Sequence, residues 1–397
     1  MKKLFILAIT LLVIFPAISS CVSKGDVGTT IESNTAAESG SSSQVIEIKS
    51  FDGYMLKGKL TLPGGNGKIS KLVIFVNGSV PNTYDSHRNT GEITFNYFDF
   101  WAKQFSTNGI AFFSYNARGI DTSNNPPLYA DINEEEYKTN LPLNEVEDVY
   151  YMINALKENE RLKNCKVCLL SSGYGTIVAP LVAQKYPGSV DALFLCGYAN
   201  DNMKDLLTWQ TSGANIMAVC NYYFDTDGDG RISKSEYEAD PNNVVASVLG
   251  NASFESFDTN NDGYLTEEDF IGSYQKIAGY SLDDLLNAIN QGDNDWLKKY
   301  YGGLTSAWFL QHFDMQSNMD LLPTLNLPIY IFHGTLDQAF DLNGVYAIKN
   351  KFAELGKTNL TVNVFDGYDH DLNYMDIINK DTIPDGIQKL IDAVVKF

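Results

Sequence analysis

Oxygen-bearing side chains recur at alternate positions in two stretches of this 397-residue chain. In the first, Asp225, Asp227 and Asp229 precede Gly230, and Arg231, Ser233 and Glu236 complete a span of 12 residues. A hard cation that takes about six to eight oxygens fits this spacing. Three carboxylates stand at positions 1, 3 and 5, and Gly230 permits the sharp turn at 6. Arg231 offers its backbone carbonyl, Ser233 acts through water, and Glu236 binds with both oxygens. Residues 225–236 therefore read as a calcium loop. The second stretch, 258–269, repeats the pattern with Asp258, Asn260, Asp262, Gly263, Tyr264, Thr266 and Asp269. Its last ligand is one methylene shorter than Glu236, which makes two-oxygen capture harder. Weaker calcium binding is expected there, or a greater tolerance of magnesium, whose smaller shell prefers single oxygens.

The loops begin 33 residues apart, with AVCNYYF before the first and FESF before the second. This is the arrangement of an EF-hand pair. Ile232 and Leu265 occupy equivalent positions and are expected to form a short strand pair linking the hands. Two filled sites, or one working site beside a relic, both fit the sequence.

The ends and the composition bound what surrounds these loops. Met1-Lys2-Lys3, an apolar run of 15 residues from Leu4 to Ile18, and Ser19-Ser20-Cys21 form an export signal. The run falls short of the roughly 20 residues a spanning helix needs. Ile18-Ser19-Ser20-Cys21 also resembles the site at which bacterial lipoprotein precursors are cleaved and lipidated, which would tether the protein to a membrane through Cys21 without spanning it. The alternative is an ordinary secretory signal with an incidental cysteine. Residues 21–45 are rich in small polar types and read as a flexible tether. An exported protein meets nearly constant calcium, so a structural role for the ion is as apt as signalling. The formal charge of −20 becomes −22 once Lys2 and Lys3 leave with the signal. Such a balance disfavours nucleic acid, whose binding draws on Lys and Arg. Cys165, Cys168, Cys196 and Cys220 lack a second closely spaced ligand pair and read as buried thiols, not a zinc knuckle.

The elements that must position these groups alternate. VIEIKS, a turn at Asp52-Gly53 and YMLKGKLTL predict a hairpin over 45–62. Apolar runs LVIFV (72–76), IAFFSY (110–115), VCLL (167–170), DALFLC (191–196), PIYIFHG (328–334) and LTVNVF (360–365) predict strands. Helical patterns lie between them, near 94–107, from Asn144, over 176–185, over 342–355 and from Pro384. Near-continuous apolar strands alternating with helices predict an α/β fold, a mostly parallel sheet covered on both faces. Residues 201–318 interrupt the series as a mainly helical insertion that carries both calcium loops, between a first part at 46–200 and a second at 319–397.

Those two parts resemble an α/β-hydrolase, in particular the serine aminopeptidase-like and acyl-esterase-like branch. The family's Gly-x-Ser-x-Gly elbow corresponds here to Ser171-Ser172-Gly173-Tyr174-Gly175, followed by the helical TIVAPLVAQKYP. This register puts Gly173 where the nucleophilic serine should stand. Making Ser172 the nucleophile instead would put Tyr174 and Leu170 at positions that want small residues. The resemblance further implies that His370, in VFDGYDHDL, is the family's histidine and that Asp337, in FHGTLDQAF, is the acid that orients it. Asp366, Asp369 and Asp371 are rival acids by proximity alone, and His87, His312 and His333 have less suitable settings. The oxyanion donors would be the backbone N–H groups of Tyr174 and Ser79, with Asn77 where many relatives carry histidine. Arg118, in YNARGIDTS, is expected to organise its loop.

Glycine at the apex keeps the turn and removes the attacking oxygen, so no acyl-enzyme can form there. Three readings follow. One is a catalytically impaired relative that binds an acyl, ester or peptide-like ligand. Another is an active ester or small-amide hydrolase using Ser172 or a water activated by His370. The third is a calcium-stabilised surface scaffold. Trp209, Tyr222, Tyr223, Trp296, Trp308 and Phe309 in the insertion would line an acyl pocket or form the insertion's own core.

Overall fold

β-branched and aromatic residues fill the apolar runs, and both faces of most are buried, so they form interior strands bridged by helices. The computed structural model describes residues 40–77, 81–90, 93–126, 128–241, 243–247 and 251–397. The export signal, Cys21, most of the tether and Ser79 lie outside the described residues.

In chain order the main elements are β1 (Ser42–Lys49), β2 (Met55–Leu62), β3 (Lys71–Val76), α1 (Tyr97–Thr107), β4 (Ala111–Tyr115), α2 (Pro142–Lys157), β5 (Lys166–Ser172), α3 (Gly175–Lys185) and β6 (Ala192–Cys196). The helical stretch follows, with α4 (Met203–Thr211), α5 (Ala214–Phe224), α6 (Glu267–Ala278) and α7 (Ser306–Asp314) among further helices. β7 (Ile329–Gly334), α8 (Leu342–Glu354), β8 (Leu360–Phe365) and α9 (Asp385–Lys396) close the chain. The strands form one sheet in the order β1-β2-β4-β3-β5-β6-β7-β8. β3 runs parallel to both neighbours, and β2 is antiparallel to β1 and β4. This is the mostly parallel sheet with helices and a helical insert that the strand and helix patterns predict. No helix among the described residues is long and apolar enough to cross a membrane.

Two local differences have physical reasons. β1 begins three residues before the expected Val45, because Ser42 pairs with Leu62 and Ser43 Oγ meets Thr61 Oγ1 at 2.8 Å. α1 starts at Tyr97 because residues 94–96 pair with 87–89 as a short hairpin.

Two compact units divide the chain. One comprises residues 40–195, 325–330 and 375–397. In it α2 packs on α3 and α1 on α9, and the Lys71 ammonium donates to the Val394 carbonyl at 3.0 Å. Arg118, 2 % exposed, donates two bonds to Asp148 (2.7 and 2.6 Å) and two to Asp52 (2.6 and 3.2 Å). It thereby pins the β1–β2 turn to α2, the organising role its motif implies. Breaking such a buried pair is costly, since the partner carboxylate is left uncompensated.

The other unit comprises residues 196–324 and 331–374. Its EF-hand pair has its own core of Met217, Cys220, Phe224, Ile232, Tyr237, Val244, Phe254, Leu265 and Phe270. Farther along, Tyr280, Trp296, Tyr301, Phe309 and Trp308 pack ring against ring, with centroids about 5 Å apart. These aromatic residues form the insertion's core. The four cysteines among the described residues are buried free thiols, and burial pushes Cys168 and Cys220 up to about 12.

Candidate functional site

The calcium loops fold in parallel detail. Asp225 accepts the N–H groups of Gly228 (2.7 Å) and Gly230 (3.0 Å), Asp227 that of Asp229 (3.1 Å), and Asp229 that of Arg231 (2.9 Å). In the second loop Asp258 accepts from Asp262 (3.2 Å) and Gly263 (3.1 Å), Asn260 from Asp262 (2.9 Å), and Asp262 from Tyr264 (2.9 Å). These bonds curl the backbone around the carboxylates, and the left-handed turns fall on Gly228 and Gly230 and, correspondingly, on Asn261 and Gly263. Ile232 pairs with Leu265 and Ser233 with Tyr264 in the antiparallel bridge expected between the hands.

Asp225, Asp227 and Asp229 each offer an oxygen within 4.8 Å of the others, a donor set suited to a hard divalent cation. The twelfth residues are held alike. Glu236 accepts from the N–H groups of Thr226 and Ser233, both at 2.9 Å, and Asp269 from those of Thr259 (2.8 Å) and Thr266 (3.0 Å). The Ser233 amide and hydroxyl bonds, with those from Thr226, outweigh desolvation and hold the Glu236 carboxyl down at about 2. Glu236 is thus ionised at any physiological pH.

In the same unit the loops after β7 and β8 bring Asp337 and His370 together. His370 Nδ1 lies 2.8 Å from Asp337 Oδ2, and Asp337 Oδ1 accepts the N–H groups of Ala339 (2.7 Å) and Phe340 (3.1 Å). Asp337 is buried, while His370 retains 30 % of its side-chain surface. Burial works against the imidazolium, but the carboxylates of Asp337, Asp371 and Asp369 outweigh it and push His370 up to about 9. Asp337, conversely, is raised by burial and held below its ordinary range by His370 and His333.

Two of the rival acids, Asp369 and Asp366, make bonds of their own. Asp369 accepts the N–H groups of Asp371 and Asn373, and Asp366 accepts from the Thr335 hydroxyl. His333 is fully buried with Nδ1 accepting the Tyr198 N–H at 3.1 Å, and burial lowers its basicity. His312 packs at a tilt against Trp308, and burial lowers it to about 3. His87 bonds the Asn96 side chain and packs on Tyr129.

Two glycines that the sequence reading passed over shape this pair. A Cβ at Gly197, just past β6, would stand 2.4 Å from His370 Cε1, and one at Gly334 would stand 2.1 Å from the Tyr368 carbonyl oxygen. Both must lack side chains for the histidine loop to lie against the strand ends. The available signal was a glycine directly after each apolar run.

In the first unit, β5 ends at Ser172, Gly173 takes a left-handed φ of +61°, and α3 starts at Gly175. A Cβ at Gly175 would lie 2.3 Å from the Val76 carbonyl oxygen, so that position must be small. Ser171 is wholly buried and Ser172 partly so. Tyr174 is the N-cap of α3. Asn77 turns inward, its side-chain amide donating to the Tyr115 carbonyl at 2.8 Å.

Residues 222–239 match the family model described as EF hand, and residues 252–277 the one described as EF-hand domain pair. No curated protein sequence matches the chain. Among solved structures, a Pyrococcus horikoshii acylaminoacyl peptidase is similar at 14 % identity and TM-score 0.47, covering 90 % of this chain and 41 % of its own. The chain thus spans about two-fifths of that peptidase. A thermostable carboxyl esterase from Bacillus coagulans is similar at 14 % identity and TM-score 0.48, covering 89 % of this chain and 97 % of its own. A Pyrococcus furiosus esterase is similar at 12 % identity and TM-score 0.45, with 86 % and 87 % covered. Both calcium loops are thus matched to EF-hand models, within a helical insert in a chain that also forms a mostly parallel α/β sheet.

Proposed function

We propose that this is a calcium-binding relative of serine hydrolases whose nucleophile position is Gly173, so that it binds an acyl, ester or peptide-like ligand without forming an acyl-enzyme. The observation that carries this reading is the backbone at Gly173. A strand-to-helix elbow in left-handed conformation is where the family presents its serine, at a cost in strain that glycine relieves. The Asp337–His370 pair supports it, because an acid holding a histidine by Nδ1 is the remainder of the triad. The loop ligands Asp225, Asp227, Asp229, Arg231, Ser233 and Glu236, and their counterparts in 258–269, hold two calcium ions, the second more weakly. Tyr174 and Ser79 are the oxyanion donors in this reading. In this reading export and lipidation at Cys21 anchor the protein to a membrane on the periplasmic or extracellular side.

Glycine-to-serine substitution tests the central claim. Gly173→Ser is expected to raise hydrolysis of an activated ester by at least about 10³-fold, since loss of the nucleophile alone costs about 10⁶ where it acts as a unit with its base. An unchanged rate, together with abolition of whatever hydrolysis exists by Ser172→Ala, would transfer the role to Ser172 and restore the active-hydrolase reading.

A further inference from the structure

The helix that enters the first calcium loop also touches both loops that carry Asp337 and His370. α5 ends at Phe224, and its C-cap is Asp225, the first ligand position. Its N-cap, Gly213, sits so close to α6 that a Cβ there would stand 2.6 Å from the Glu267 carbonyl oxygen and 2.8 Å from Phe270 Cβ. That turn of α6 also contains Asp269, the twelfth position of the second loop. One calcium loop therefore bounds each end of α5.

With about 3.6 residues per turn, Met217, Cys220 and Phe224 share one stripe of α5, and Asn215 and Tyr222 share another about 180° away. The first stripe is part of the EF-hand core. The second reaches the acid and histidine loops. Asn215 Nδ2 donates to the Gln338 carbonyl at 3.4 Å, and on the preceding helix Gln210 Nε2 donates to the Ala339 carbonyl at 2.8 Å. Ala339 and Phe340 in turn donate their N–H groups to Asp337. At the other end, burial and the neighbouring Asp366 carboxylate push the Tyr222 hydroxyl above its ordinary pKa, and that hydroxyl lies 3.2 Å from where a Cβ on Gly367 would be. Thr335 ties the two loops, accepting the Gly367 N–H at 2.8 Å and donating to Asp366.

From this geometry we infer that α5 is the positioning element of the Asp337–His370 pair, and that calcium in the EF-hand loops sets the geometry of the pair through Asn215 and Tyr222. Filling the loops fixes both ends of α5, and a fixed α5 holds the backbone amides that cradle Asp337 and the turn that leads to His370. The inference rests on the reading of Asp337 and His370 as the functional pair. A Gly173→Ser variant without gain would count against the nucleophile assignment and would leave this coupling untouched.

Amide hydrogen exchange on the whole chain, with calcium and with a chelator, tests the coupling without any turnover. Calcium is expected to slow exchange at Ala339 and Phe340 by at least about tenfold, as in local opening equilibria. The titration midpoint of His370, followed by NMR, is expected to fall on chelation as Asp337 loosens. Asn215→Ala and Tyr222→Phe, each checked by calorimetry to bind calcium as the parent does, should shrink the exchange difference below about twofold, with Asn215→Gln restoring part of it. Protection confined to residues 225–269, with the His370 midpoint unmoved, would overturn the inference. So would an undiminished calcium effect in both variants, or failure of the parent chain to bind calcium at all.

Discussion

At the scale of single residues, the chemistry turns on one imidazole held by one carboxylate. His370 in the folded chain titrates at about 9, against an ordinary 6.5, so it is an imidazolium at neutral pH. The stability this pair contributes is complete below 6.5 and is lost as pH rises through about 9. Asp337 reports the same interaction from the acid side, its share being lost as pH falls through a value lowered from 3.8. Allowing for the partial exposure of His370, the pair is expected to contribute about 2 kcal/mol. His370→Gln should therefore destabilise the protein by about that amount at pH 6 and by much less at pH 9.5, measured by denaturant unfolding at each pH. An equal loss at both values would mean that the carboxylate does not hold the imidazolium. On the proposed reading of Gly173, a serine introduced there would have its base free only in alkaline solution, so its rate should climb toward pH 9.

Among the elements, the two calcium loops are a natural comparison because nearly everything but the twelfth residue is matched. The position 3 and 5 side chains make equivalent backbone bonds in both, the position 1 carboxylates share the bond from position 6, and the same kinds of amide hold Glu236 and Asp269. The difference in reach is one methylene, and Asp269 is fully buried at the start of α6. Calorimetric titration should resolve two classes of calcium site, with the weaker lost in Asp258→Ala. Asp269→Glu should tighten it by about tenfold if the short side chain is the cause, within the wide range that ligand choice gives such loops. Equal affinities at the two loops in the parent would remove the argument. Arg118 illustrates the opposite situation among the elements, a charge with a structural task. Its guanidinium is closed in by Asp148, Asp52 and the rings of Phe51 and Tyr54, so its place in the Arg-Gly turn serves the hairpin and α2.

On the scale of the molecule, calcium belongs to only one of the two units. Both loops, the EF-hand core and the Asp337–His370 pair lie within residues 196–374, whereas the strands β1 to β5 are in the other unit. A cation bound only by the folded loops stabilises their unit by about 2.7 kcal/mol at a hundredfold excess over its dissociation constant. Chelation is therefore expected to expose the helical insert to proteolysis first, with early cuts between 212 and 300, while the fragment spanning 42–195 persists. Mass spectrometry of a timed digest reads this directly. Identical cleavage with and without calcium would show that the ion does not order the insert. The strongly acidic chain adds a second reason for such sensitivity, since without cations the clustered loop carboxylates repel one another.

Spacing alone determined the calcium loops, because the ligands lie within twelve consecutive residues and the local backbone suffices to gather them. Apolar periodicity likewise determined the strands and the order of helices between them, since burial on both faces leaves its mark residue by residue. The Ile232–Leu265 bridge was legible for the same reason, being fixed by equivalent places in two similar loops. Groups brought together from distant parts of the chain were a different matter. That Asp337 faces His370 while Asp369 bonds its own loop was expected only through the family resemblance, because it depends on where two loops land, which no local pattern records. Nor does any pattern record that Gly197 and Gly334 are bare because a histidine loop lies across them. Trp296, Trp308 and Phe309 could not be sorted into pocket or core until their rings were seen packed with those of Tyr280 and Tyr301. The opposite stripe of α5 is the clearest case, for nothing in the sequence sets Asn215 and Tyr222 beside the loops that carry Asp337 and His370, and only the tertiary structure does.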